Sequence, residues 1–191
     1  MSNTAGNYNT AIGYGTLTAN TIGYDNTASG YHALFENTTG YYNTASGYGA
    51  LFGNSTGSRN NAVGESAMYS NTIADDNNAM GYVAMYSNTT GTLNNAVGSF
   101  SLYYNTTGND NNAVGYSALY QNTTGSDNSA QGFYALQNNT PAATISRSAS
   151  TRAPTRRPAT EGTVIPATRG ASRSYGEARM RRDWRRHGHT G

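Results

Sequence analysis

The chain has no cysteine and no lysine, four prolines, one tryptophan, and only 12% charged residues among 191. Without cysteine there is no disulfide scaffold, no cysteine-based zinc site and no thiol nucleophile. No run approaches the ~18 consecutive apolar residues of a membrane-spanning helix. The opening Met1-Ser2-Asn3-Thr4-Ala5-Gly6 lacks the basic and apolar regions of a signal peptide. Hydrophobic residues make up 36%, below the usual ~45–50%, and much of that share is Ala and Tyr. A conventional globular core is therefore not expected. What the chain has in quantity is Gly (23) and Tyr (16), with a net charge of +2.

These residues are periodic. Gly13, Gly30, Gly47, Gly64, Gly81, Gly98, Gly115 and Gly132 stand 17 residues apart. So do Asn9, Asn26, Asn43, Asn60, Asn77, Asn94, Asn111 and Asn128, and a second series of Asn20, Asn37, Asn54, Asn71, Asn88, Asn105, Asn122 and Asn139. Ala11, Ala28, Ala45, Ala62, Ala79, Ala96, Ala113 and Ala130 form a fourth column. Leu17, Leu34, Leu51, Met68, Met85, Leu102, Leu119 and Leu136 form a fifth. The unit reads N-[TN]-A-x-G-Y-x-A-L-[YF]-x-N-T-T-G-x-x, and eight copies run from 9 to 140 without insertion or deletion.

Loops tolerate insertions, so a strict period means that every residue of the unit has a fixed place. Stacked β-solenoid coils impose that constraint, with like residues in columns about one strand spacing (~4.8 Å) apart. Helical repeats fit poorly, because Gly, Asn and Thr are poor helix formers. The N-T-A-x-G-Y-x-A-L-Y string predicts one or two short strands, and N-T-T-G-x-x a turn. Gly23, Gly40, Gly57, Gly91, Gly108 and Gly125 suit a turn position with positive φ, and Ala74 breaks that column. The mid-strand Gly column predicts a bend or a close backbone approach. Ala and Leu/Met are the expected inner face, with the Asn columns as amide ladders. Aromatics stack at Phe35, Phe52, Tyr69, Tyr86, Tyr103 and Tyr120. A second row at Tyr14, Tyr31, Tyr48, Tyr82 and Tyr116 supplies the candidate surface-binding residues.

One Leu or Met and two Ala per coil make a thin core. A single flattened chain closes on it, or several chains wind together and share an axial core. The second arrangement is preferred, since it buries more area per residue.

The strings Asn60-Asn61-Ala62-Val63-Gly64, Asn94-Asn95-Ala96-Val97-Gly98 and Asn111-Asn112-Ala113-Val114-Gly115, each followed by x-x-[AS]-[LM], carry a resemblance. The array resembles the YadA-like head (Hep/Hag) repeat of trimeric autotransporter adhesins and is similar to phage tail-fibre shaft repeats. The resemblance covers the whole repeat region. It implies a homotrimeric, left-handed parallel β-roll with an adhesive or shaft role, at a cell surface or on a virion tail. The family's usual unit is shorter, and no coiled-coil neck, anchoring barrel or chaperone domain is recognisable here.

Both ends depart from the pattern. Asn3, Thr4 and Gly6 already fall on repeat columns, so the chain is expected to enter inside a unit without a cap. From Pro141 the composition changes. Residues 141–191 hold 11 Arg against Glu161, Glu177 and Asp183, while residues 1–140 hold Arg59 against seven acids. The net +2 thus averages an acidic repeat domain (1–140) with a basic segment (141–191), and implies no polyanion partner. The segment is expected to be disordered and to be a frameshift product. With suitable codons, deleting one base from a Thr codon turns the next repeat, N-N-T-T-G-S-N-N-I-A-F-G, into the observed Asn138 to Ala149. The rival reading is a genuine basic tail in which Arg179 to Arg186, with Trp184, binds nucleic acid.

Other motifs carry less. The N-x-[ST] strings at Asn37, Asn54, Asn88, Asn105 and Asn122 read as turns rather than glycosylation sites. Adjacent Thr do not give the flat alternating face of an ice-binding solenoid. Asp75 and Asp76 read as a solvated turn, since calcium needs more oxygen ligands. His32 is alone in the repeats, and no catalytic triad or phosphate loop is present. The expected protein is a non-enzymatic, all-β fibrous adhesin without cofactor or metal. It presents a repetitive Tyr/Asn/Thr face to a host protein, glycan or environmental surface. A tail-fibre shaft or self-assembling extracellular filament is the alternative. Eight coils span roughly 40 Å.

Overall fold

Each N-[TN]-A-x-G string supplies one strand of three residues. The computed structural model describes residues 4–140, 146–148 and 164–165. The repeats give β1 (Thr10–Ile12), β2 (Thr27–Ser29), β3 (Thr44–Ser46), β4 (Asn61–Val63), β5 (Asn78–Met80), β6 (Asn95–Val97), β7 (Asn112–Val114) and β8 (Ser129–Gln131). These strands stack in chain order as a parallel β-solenoid, with no helix among the described residues. Every pairing among β1 to β8 is a step of 17: Thr10 faces Thr27, Ala28 faces Ala45, and Asn61 faces Asn78. Two further strands, β9 (Ser146–Ser148) and β10 (Val164–Ile165), extend the sheet. Ser146 lies opposite Ser129 and Val164 opposite Ser146. Those five residues are in the sheet. The rest of 141–191, including Arg179 to Arg186, lies outside the described residues.

Three residues per coil are strand, yet most of the coil bonds to its neighbours. The Gly30 and His32 amides donate back to Ile12 and Tyr14 carbonyls, both at 2.8 Å. The Leu34 and Glu36 amides donate forward to Ala50 and Phe52, both at 3.0 Å. The second half of N-T-A-x-G-Y-x-A-L-Y is therefore not a strand. It is a tight path in which left-handed residues such as His32 (φ 55) and Leu34 (φ 50) flank an Ala. All eight Leu/Met-column residues from Leu17 to Leu136 sit at φ 48–53. Left-handed geometry costs an L-residue roughly 1 kcal/mol. Burying a Leu or Met side chain contributes roughly 1.5–3 kcal/mol, so the position is held by packing.

The core is what the columns predict. Leu34, Leu51, Met68, Met85, Leu102 and Leu119 are fully buried, as are Ala28, Ala33, Ala62, Ala67, Ala96 and Ala113. One chain closes over them unaided. The burial argument for a shared axial core therefore has no exposed inner column left to act on.

Asparagine fills about a third of the interior, 14 of the 41 buried non-glycine residues among those described. Along the second Asn series, each side-chain Nδ2 donates to the Oδ1 of the Asn one coil earlier, at 2.7–3.2 Å from Asn37 to Asn139. The same Nδ2 donates to the carbonyl three residues on, as Asn37 does to Gly40 (3.1 Å). That carbonyl also receives Nδ2 from the first series, as from Asn26 at 2.9 Å. The Oδ1 of Asn26 accepts the backbone amide of Asn43 at 3.0 Å, and the pattern repeats upward. No buried side-chain nitrogen or oxygen is left unpartnered among the described residues. Hydroxyls add a further ladder: Thr21, Thr38, Ser55, Thr72, Thr89 and Thr106 each donate to a carbonyl of the next coil at 2.9–3.0 Å.

The two Gly columns differ. Gly30, Gly64 and their equivalents lie at φ 121–142, and a Cβ at Gly64 would sit on the Gly81 carbonyl oxygen. The turn column does not have the expected positive φ. Glycine is favoured at Gly40 and its equivalents because a Cβ there would meet the turn Asn Oδ1 and the carbonyl of the next coil. The chain itself tests that column with Ala74, where the Asn71-to-carbonyl bond is 3.2 Å.

Gly64→Ala is therefore expected to destabilise by roughly 3 kcal/mol, and Gly91→Ala by about 1 kcal/mol. Urea midpoints compare the two, and equal losses would refute the distinction. Asn54→Ala strands the Oδ1 of Asn37 and the Nδ2 of Asn71. Its expected cost is roughly 3 kcal/mol at unchanged m-value.

Candidate contact surface

The period that buries Leu also carries aromatic residues outward. One ladder runs unbroken through Phe35, Phe52, Tyr69, Tyr86, Tyr103 and Tyr120. Its centroid spacings are 5.2, 4.8, 5.3, 5.3 and 5.3 Å, with interplanar angles of 4–19°. These rings are half-buried. Burial pushes the Tyr69, Tyr103 and Tyr120 phenols up, and neighbouring phenols add to the shift. They stay neutral hydrogen-bond donors well above neutral pH.

The candidate row is more exposed, with Tyr14 at 74% and Tyr48 at 57%. The structure brings together only part of it. Tyr14, Tyr31 and Tyr48 stack at 5.4 and 5.1 Å. Glu65 then replaces a ring, and Ser99 replaces another between Tyr82 and Tyr116. Phe100, which sequence reasoning missed, closes the second break by packing edge-on against Tyr82 (5.4 Å) and Tyr116 (5.6 Å). Tyr116 also stacks on Phe133 (5.2 Å).

The two rows share one side. Phe100 lies 6.0 Å from Tyr103 and 6.3 Å from Tyr120. His32 likewise joins Tyr31 (4.0 Å) to Phe35 (4.6 Å). His32 is thus part of the aromatic face. With Gly13, Tyr14, Gly15, Thr16, Thr18, Tyr31 and Phe35 it lines a shallow cleft of about 570 Å³. Because the rings stack along the axis, each covers its neighbour's face. The surface offers ring edges and phenol hydroxyls at a spacing near 5 Å, and open faces only where the row breaks.

The remaining named columns are structural. Gly13, Gly30, Gly47, Gly64, Gly81, Gly98, Gly115 and Gly132, the Asn20 to Asn122 series and the Leu17 to Leu119 series build the interior and present no side chain to a ligand. Asn37, Asn54, Asn88, Asn105 and Asn122 are fully buried, so the N-x-[ST] strings are turns and not accessible acceptors.

Asp75 and Asp76 are not merely solvated. Arg59 reaches across one coil and holds Asp76 through Nε (2.7 Å) and Nη2 (2.9 Å). It also contacts Asp75 (3.2 Å) and donates to the Tyr41 hydroxyl (3.2 Å). Asp75 in turn accepts the Ser58 amide at 2.7 Å. Hydrogen bonding from Arg59 holds the Asp76 carboxyl below the usual range. The signal available in sequence was the spacing: 59 and 76 share a column.

Among the described residues no group of three or more His, Cys, Asp or Glu is placed to hold a metal, and no helix is long and apolar enough to cross a membrane.

Since the folded Asp76 pKa is depressed, its contribution is present above the ordinary carboxylate range and is lost as pH falls through and below it. Arg59→Met is expected to lower the melting temperature slightly at pH 7, with the difference vanishing near pH ~2–3. Thermal melts over that range test it, and a gap that persists at low pH would refute it.

No protein-family model, curated protein or solved structure matches this chain.

Proposed function

We propose that the protein is a non-enzymatic, fibrous attachment protein whose aromatic face engages a glycan or protein on a host or environmental surface. The observation that carries this reading is the paired aromatic rows. They hold phenol hydroxyls and ring edges at fixed ~5 Å intervals on one side of a stack whose interior is fully bonded. A rigid row of weak, identical contacts binds by multivalency, and pre-organisation lowers the ordering cost. The resemblance to YadA-like head repeats points the same way and adds the homotrimer. Each chain closes its own core, so a trimer would assemble through outer faces. The strand face is uncharged and carries the half-exposed Val63, Met80, Val97 and Val114, which suits that role.

A structural shaft or end-to-end filament is the second reading, favoured by the identical bonding of every coil to the next. An ice-binding role is disfavoured, because the Thr38-type hydroxyls are engaged by carbonyls of the next coil.

Replacing Tyr14, Tyr31 and Tyr48 together by Ser is expected to lower retention on glycan and matrix-protein arrays at least tenfold, with the solenoid's circular dichroism preserved. Retention unchanged by that triple substitution, together with concentration-dependent fibres in electron micrographs, would transfer the assignment to the shaft.

A further inference from the structure

The aromatic row has two breaks, and they are not alike. At Ser99 the neighbouring Phe100 ring fills the space between Tyr82 and Tyr116. At Glu65 no neighbouring ring fills it. The adjacent positions are Ser66 and, one coil to either side, Gly49 and the buried Val83, none of which is aromatic. Among the described residues Tyr48 contacts no ring beyond Tyr31, and Tyr82 none besides Phe100. Both tyrosines are about half exposed, at 57% and 47%. Rings one coil apart stand 5.1–5.4 Å between centroids, so Tyr48 and Tyr82 are two coils, about 10 Å, apart. The row is one ring short there, and a carboxylate stands in its place. Glu65 is exposed, and the ion pairs among the described residues are those of Arg59 with Asp75 and Asp76.

We propose that this notch receives an arginine side chain of a partner protein. The guanidinium is planar, so it replaces the missing ring in the stack. Its charge attracts the faces of Tyr48 and Tyr82 from either side, and Glu65 accepts its N–H groups. A lysine ammonium satisfies the charge but not the plane. A pyranose satisfies the stacking but leaves Glu65 without a cation. The acidic balance of residues 1–140, seven acids against Arg59, draws basic partners to the site. The proposal rests on the aromatic face being a contact surface and names the partner chemistry at one point on it.

The test is a nuclear magnetic resonance titration of the full chain with acetyl-Gly-Arg-Gly-amide, and with the citrulline and lysine equivalents. Saturable shifts are expected at Tyr48, Glu65 and Tyr82. The citrulline peptide, planar but uncharged, should bind at least fivefold more weakly. Glu65→Gln should weaken the arginine peptide at least fivefold. Glu65→Tyr completes the row and should abolish binding, with an unfolding midpoint at or above that of the parent showing that the fold is intact. Shifts that survive Glu65→Tyr, equal binding of citrulline, or tighter binding of methyl β-glucopyranoside in the notch would each overturn the proposal. Array retention that depends on Tyr14, Tyr31 and Tyr48 without arginine binding would sink the notch and leave the attachment reading standing. Arginine binding without array retention would do the reverse.

Discussion

Everything in this molecule depends on one hydrogen-bonded constraint, the demand that each coil satisfy the amides of the coil beside it. The two Asn columns meet it from inside. One passes an amide bond up the stack, the other accepts a backbone N–H from the next coil, and both converge on a single turn carbonyl. A coil of 16 or 18 residues would displace every one of those groups at once, and in a buried setting each orphan costs about 1–3 kcal/mol. The invariant period follows from it. So does the Gly column that lets carbonyls of successive coils pass without a Cβ between them.

Much of this was legible in the sequence, because a column is visible as a column. The solenoid, its step of 17, the Ala and Leu interior and the Asn ladders are written as identities at fixed spacing. What was not legible is conformation within the unit. Nothing in the identity of Leu34 signals φ 50, since Leu is a poor left-handed residue and is held there by burial. The Gly40 column was misread for the complementary reason. Glycine suggests positive φ, whereas here it answers a steric conflict with a neighbouring coil. Closure by a single chain was also hidden, because composition reports how much apolar volume exists but not how tightly a flattened coil wraps it.

The aromatic face was half legible. A row of Tyr at one position announces stacked rings, and Tyr14, Tyr31 and Tyr48 do stack. Interruptions are harder to read, since their outcome depends on neighbours outside the column. Ser99 is masked by Phe100 one residue later, and Glu65 is not masked by Ser66. Arg59 and Asp76 show the same thing for charge: a single pair outside the consensus becomes a clasp only because the period brings its members side by side. Departures from the repeat, more than the repeat itself, give the surface its local chemistry.

Every bond that joins one coil to the next runs parallel to the long axis, while the covalent chain runs around it. A load applied along that axis is therefore carried by hydrogen bonds and side-chain stacking alone. When a terminal coil lets go, its 17 residues pay out roughly 50 Å of slack in place of about 5 Å of height. The remaining coils keep their ladders, because each touches only its neighbours. Such a stack is expected to lengthen one increment at a time under tension, dissipating work at every step, and to wind back against an intact template when the tension is released.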